Sequence, residues 1–212
     1  MTGQARALST RHVPEITADE RDLGLAAVGE ALRRRVDGWS PAEKYTRQLV
    51  VKMPTFKPIG LDLKDYIFAR DLDERVYDAD SFTPLSGVLA EDPYTGERVG
   101  FRQSEDRSQW FVHIDHVVPV ADAWVSGGCL WPLDDPRWVQ FCNWPGNLLA
   151  VSSWANQSKG DSNAAQWLPG NPRHDWRARY VLMQLAVKLR FDLSATESEA
   201  EAMLRVLMSA AV

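Results

Sequence analysis

The sequence predicts an α+β chain: a β-β-α core over about residues 111–161, further helices packed around it, and a helical N-terminal appendage over residues 1–58. Three observations point there. Residues 111–114 and 148–151 are short, mostly apolar runs bounded by polar or turn-forming residues, as strands are. Serine and threonine stand where helix-capping residues belong at several other points. Pro54 and Pro58 break the chain between the first helices and the remainder.

Each element follows in order. Thr17-Ala18-Asp19-Glu20 is a capping box that opens a helix reaching about Val36. Ser40-Pro41-Ala42-Glu43 opens a second, with proline at the first helical position. From Leu61 to Gln109 short strands and turns are expected around Pro84, Gly87, Pro93 and Gly96. The first core strand, Phe111-Val112-His113-Ile114, puts Asp115 at its end and turns the chain so that His116 faces the same pocket. Residues 121–141 read as an insertion of one or two helices. After Leu148-Leu149-Ala150-Val151, Ser152-Ser153-Trp154-Ala155-Asn156-Gln157 opens a helix under a serine cap, with Asn156 one turn into it. Trp167, Trp176 and a helix over residues 177–190 pack behind the core. Ser194-Ala195-Thr196-Glu197 caps the last helix.

Composition narrows the class. With 212 residues, 45% of them hydrophobic, and nine tryptophans, the chain is long enough to bury one good core with an appendage. No apolar run approaches the ~18 residues that a membrane helix needs. Residues 1–17 lack the apolar segment of a signal peptide, and the two cysteines, Cys129 and Cys142, provide neither zinc knuckles nor a disulfide framework. The expectation is a cytoplasmic protein without structural zinc.

The formal charge of −5 is unevenly spread: residues 61–154 hold sixteen acidic against seven basic side chains, whereas residues 155–192 hold three against six. Phosphate binding draws on lysine and arginine. Arg173, Arg177 and Arg179, followed by Lys188 and Arg190, therefore read as a stripe facing nucleic acid. Because the whole chain is acidic, a targeting protein, or a homodimer through the N-terminal helices, is expected beside DNA.

The chemistry lies in Asp115-His116, in Asn147 after Gly146, and in Asn156 with Lys159. A phosphodiesterase site needs a hard cation on the phosphate, a base for water, and a group holding that base in one tautomer. Oxygen donors suit Mg²⁺, and imidazole titrates near neutrality. Asp115 is the expected metal ligand and His116 the general base, which contributes typically ~10²–10⁴-fold to rate. The Asn156 carbonyl completes the metal site, Asn147 orients His116, and Lys159, on the same helix face as Asn156, meets a phosphate. His113 shares the strand face of Asp115, where it either packs as an ordinary strand histidine or supports the metal from behind its ligands.

The order Asp-His-Val-Val-Pro, Asn-Leu-Leu, Asn-x-x-Lys-Gly-Asp resembles the HNH, or ββα-metal, nuclease superfamily. A closer resemblance runs from about residue 66 to 208 and includes Asp92-Pro93-Tyr94-Thr95-Gly96 and Trp167-Leu168-Pro169. It is to bacterial HNH nucleases related to the C-terminal domain of GmrSD-type restriction enzymes. The resemblance implies a ββα-metal (His-Me finger) core within an HNH domain over residues 59–212. It also implies a Mg²⁺ or Mn²⁺ cofactor on Asp115 and Asn156, His116 as base, Asn147 as its support, and hydrolysis of DNA to 5′-phosphate and 3′-hydroxyl ends. Histidine is usual in that family where Asn156 stands here; a carboxamide oxygen is a hard ligand and favours Mg²⁺ or Mn²⁺. Secreted relatives carry cysteines near residues 81–84 and 173–176, and this chain has none there. A ribonuclease with the same site, or a nucleic-acid-binding scaffold with a vestigial one, are the alternatives; intact Asp115, His116 and Asn156 argue against the second.

Overall fold

The protein is described by a computed structural model over residues 16–34, 45, 62–81, 83–172 and 174–210. Helix α1 (Ala18–Arg33) begins at the expected capping box: the Glu20 amide donates to Thr17 Oγ1 at 3.1 Å, and the Thr17 amide to Glu20 Oε2 at 2.8 Å. The helix expected at Ser40 and the breaks at Pro54 and Pro58 lie outside the described residues.

Helix α2 (Leu63–Asp71) stands where the sequence suggested strands and turns. It buries Ile67 and Phe68, adjacent positions that leave no 3.6-residue rhythm over nine residues, so packing and not periodicity makes it a helix. Three strands follow as one antiparallel sheet in the order β1 (Asp73–Tyr77), β2 (Pro84–Leu89), β3 (Val99–Arg102). Between β2 and β3 the chain turns at Gly96, whose φ of 78° is left-handed and whose added Cβ would meet Asn171 Oδ1 at 3.0 Å.

The second sheet is the hairpin of β4 (Val112–His116) and β5 (Leu148–Ser152), paired without a bulge from Val112↔Ser152 to His116↔Leu148. Its long connection carries α3 (Val120–Val125) and α4 (Pro136–Asn143), as expected of residues 121–141. Helix α5 (Ser153–Lys159) follows β5 directly. Ser152 occupies its N-cap, but its hydroxyl donates to Asp92 Oδ2 at 2.7 Å and caps nothing. Helix α6 (His174–Arg190) and α7 (Glu197–Ser209) close the chain, α7 beginning at a Thr196/Glu199 capping box.

The hairpin is buried on both faces. Val112, Leu148 and Ala150 pack on Ile67 and Phe68 of α2 and on Phe101 of β3. Val117, Leu149 and Val151 pack on Tyr94, Ala155 of α5 and Tyr180 of α6. Such side chains contribute roughly 1.5–3 kcal/mol each when fully buried. Trp124, Trp131, Trp138 and Phe141 from the connection gather around Phe191 beyond α6. In a separate cluster, Val28 and Ala31 of α1 meet Val181 and Leu185 of α6 and Met203 and Leu207 of α7. The described part of the N-terminal helical region is thus packed on the C-terminal helices. Among the described residues no helix is long and apolar enough to cross a membrane.

Candidate active site at the end of the hairpin

Side chains alternate along a strand, so consecutive residues Asp115 and His116 leave β4 on opposite faces. This corrects the expected turn at Asp115: β4 extends through His116, so the two side chains stand at the last two strand positions and border the end of the hairpin from its two faces. Asp115 is 7% exposed and lies under α5. Its Oδ2 accepts from the Tyr94 hydroxyl at 2.6 Å. The Lys159 ammonium sits 3.1 Å from Oδ1 and 2.9 Å from Oδ2. Burial, and after it the charge of Asp115, holds the Tyr94 phenol well above its ordinary pKa, so the hydroxyl is a donor at every physiological pH.

His116 is held from the other side. Its Nε2 lies 2.9 Å from the main-chain oxygen of Cys142 at the end of α4, and its ring is parallel to Phe141 at 6.3 Å between centroids. A carbonyl oxygen only accepts, so Nε2 carries the proton and Nδ1 keeps its lone pair in the neutral ring. Burial lowers the His116 pKa; the Cys142 bond and Asp115 oppose that, and Lys159 adds to it. The residue as a whole is half-buried. A neutral imidazole with one basic nitrogen left unprotonated is the state a general base requires.

Asn147 does not touch that ring. It is fully buried; its Oδ1 accepts from the Val118 amide at 2.9 Å, and its Nδ2 donates to the carbonyls of Val118 and Phe141 at 3.4 and 3.5 Å. A turn residue at the foot of the β4–β5 connection is fully used in tying its two ends, and orientation of His116 falls to Cys142 instead. Asn156 is half-buried on α5, one turn before Lys159 and on the same helix face. His113 is half-buried on the Asp115 face of β4, and partial burial lowers its pKa.

The expected phosphate contacts are rearranged. Lys159 is a buried counter-ion, 1% exposed, and not an exposed helix lysine. Arg173 lies outside the described residues. Arg177 donates through Nε to the Pro169 carbonyl at 2.8 Å, whereas Arg179 reaches Glu20 on α1 at 2.9 Å. Two positions apart on a helix, they point to different sides, so no stripe forms. Lys188 is fully buried between Asp122 and Glu199, and Arg190 lies over the Trp144 ring.

Two contributors had no role in the sequence reading. Tyr94 belongs to the Asp92-Pro93-Tyr94-Thr95-Gly96 run, a turn pinned by Asp92, whose Oδ1 and Oδ2 accept from the Ser152 amide and hydroxyl at 3.0 and 2.7 Å. That run was the available signal. The Cys142 carbonyl has none, since every residue offers one.

Oxygen donors of the type Mg²⁺ or Mn²⁺ prefer are present in Asp115 and Asn156. Among the described residues, no three His, Cys, Asp or Glu side chains converge on a metal position. The donor types therefore fit a hard cation held by two protein ligands plus water or phosphate, provided Lys159 yields its place on Asp115.

A short antiparallel hairpin ending in aspartate and histidine, with a helix following at once, places this chain in the class of small α+β hairpin-helix domains. The chain belongs to the family of GmrSD restriction endonucleases, C-terminal domain, which it matches over residues 62–206. An uncharacterized secreted protein of Arthroderma benhamiae is 38% identical over 98 residues, 45% of this chain and 46% of that protein. The chain thus spans about half the length of that curated relative. No solved structure matches it.

Proposed function

We propose that the chain is an HNH-type endonuclease that hydrolyses DNA phosphodiester bonds, with His116 Nδ1 as the general base. The observation that supports this most is the Nε2–H of His116 donated to the Cys142 carbonyl at 2.9 Å, which leaves Nδ1 free in a ring that burial keeps neutral. Water attacks phosphorus and gives its proton to Nδ1; the bond from phosphorus to the 3′-oxygen breaks, leaving a 5′-phosphate, and the departing oxygen takes a proton from solvent. Asp115 and Asn156 are the residues that would hold Mg²⁺ or Mn²⁺, which when bound supplies positive charge to the phosphate. Tyr94 orients the Asp115 carboxylate, and Asn147 keeps the hairpin end that carries both residues closed.

Supercoiled plasmid incubated with the protein tests the reading: nicking is expected with Mg²⁺ or Mn²⁺ and not with EDTA. Undiminished cleavage in chelator would overturn the metal-dependent mechanism. Cleavage of RNA with no effect on plasmid or single-stranded DNA would keep the chemistry and overturn the substrate.

A further inference from the structure

Lys159 donates hydrogen bonds to Asp115 Oδ1 at 3.1 Å and to the His116 carbonyl at 2.8 Å, and its ammonium also lies 2.9 Å from Asp115 Oδ2. Its side chain is 0% exposed. Such an ammonium is closely paired with both oxygens of one carboxylate. Asp115 supplies the one carboxylate there and Lys159 the one ammonium, and Asn156 is neutral, so this pair already balances without any added ion. A divalent cation on Asp115 would have to approach an oxygen to about 2.1 Å. Both oxygens face the ammonium, and two cations cannot share one monovalent carboxylate in a buried place without strong repulsion.

We propose that Lys159 is a resident cation that occupies Asp115 and that a divalent metal must displace. The inference rests on the reading of Asp115 as a metal ligand. Its consequence is weak metal binding by the free protein, because each binding event breaks a buried ion pair and leaves an excess positive charge. A phosphodiester in the site supplies the missing negative charge and a new acceptor for the released ammonium. Metal loading is then conditional on the presence of substrate.

The test uses the full chain and Mn²⁺ alone, with free Mn²⁺ followed by electron paramagnetic resonance. Lys159→Met removes the competing charge at similar length. It should tighten Mn²⁺ binding by roughly ten- to hundredfold, the usual size of a site-to-site coupling. Asp115→Asn, alone or combined with the first change, should abolish the gain. Because Lys159→Met leaves a buried carboxylate without its counter-ion, Lys159→Gln, which keeps a donor to Asp115, serves as a second variant and should tighten binding in the same sense. Wild-type protein gives an independent readout. Buried ammonium groups exchange slowly, so the side-chain ¹H–¹⁵N resonance of Lys159 should shift or vanish as Mg²⁺ is added, while that of Lys188, equally buried, stays in place. If neither lysine variant binds more tightly while Asp115→Asn weakens binding, Asp115 ligates metal and the displacement idea is overturned. If no variant changes Mn²⁺ binding and the Lys159 resonance is unmoved, the metal does not reach Asp115, and the reading beneath the proposal falls with it.

Discussion

The Tyr94 hydroxyl, in the turn after β2, lies 2.6 Å from Oδ2 of Asp115 on β4, with both side chains buried. A charge-assisted bond of this kind is worth about 1.5–3 kcal/mol, and its loss leaves the carboxylate one donor short in a low-dielectric place. Tyr94→Phe should therefore lower unfolding free energy by about that amount in urea titrations. An unchanged midpoint would show that the carboxylate finds a compensating donor.

His116 governs the pH response. Burial holds its pKa below the ordinary 6.5, so the basic form persists to lower pH than in a free imidazole, and cleavage should be lost only as pH falls through that depressed value. The unfolded chain protonates the same ring first, so its contribution to stability is present above 6.5 and decays as pH falls below it. His116→Ala should abolish plasmid nicking and leave Mn²⁺ affinity nearly unchanged. A rate profile that falls off already above pH 6.5 would contradict the assignment.

Lys188 lies 2.9 Å from Asp122 and 3.1 Å from Glu199, all three side chains buried. Removing the lysine leaves the Asp122 carboxylate buried without its cation, so Lys188→Met should cost about 3–5 kcal/mol in denaturant titration. Glu199 behaves differently. Burial, partly offset by Lys188, pushes its pKa from 4.5 to about 7, so the folded state holds a proton that the unfolded state has released. Its contribution is fully present below pH 4.5 and is lost as pH rises toward 7. Glu199→Gln, which preserves the capping box, should flatten stability between those limits. An unaltered pH dependence would show that Glu199 is charged throughout.

Arg179 is committed to Glu20 and joins α6 to α1. Arg179→Ala should cost no more than about 1 kcal/mol, as partly exposed ion pairs do, and should leave the salt dependence of DNA binding unchanged. A slope shallower by about one unit would return this residue to the nucleic-acid surface.

The contrast between Asp115 and Lys159 shows what could be read without coordinates. Both strands of the hairpin, α5, α6 and the two capping boxes follow from local rules, because hydrophobic period and cap chemistry act within a few residues. Asp115, His116, Asn147 and Asn156 stand out by type and order. What each touches does not follow: Lys159 and Arg179 are written alike, as cations on helices, yet one is buried on a carboxylate 44 residues away and the other is drawn to α1. Helix α2 was invisible for a related reason, since Ile67 and Phe68 become a core face only when β3 and β5 arrive against them.

The foot of the β4–β5 connection is closed twice, by Val117 N to Asn147 O at 2.9 Å and by Val118 N to Asn147 Oδ1 at 2.9 Å. Strand register is thus fixed below the excursion and does not depend on how far the chain wanders above it. Cys142, which anchors the imidazole, returns close to that foot. The stretch 132–134, between α3 and α4, is by contrast exposed. It is the natural splice point: a reporter or foreign recognition module grafted there would ride on the hairpin without resetting the spacing of the residues beneath.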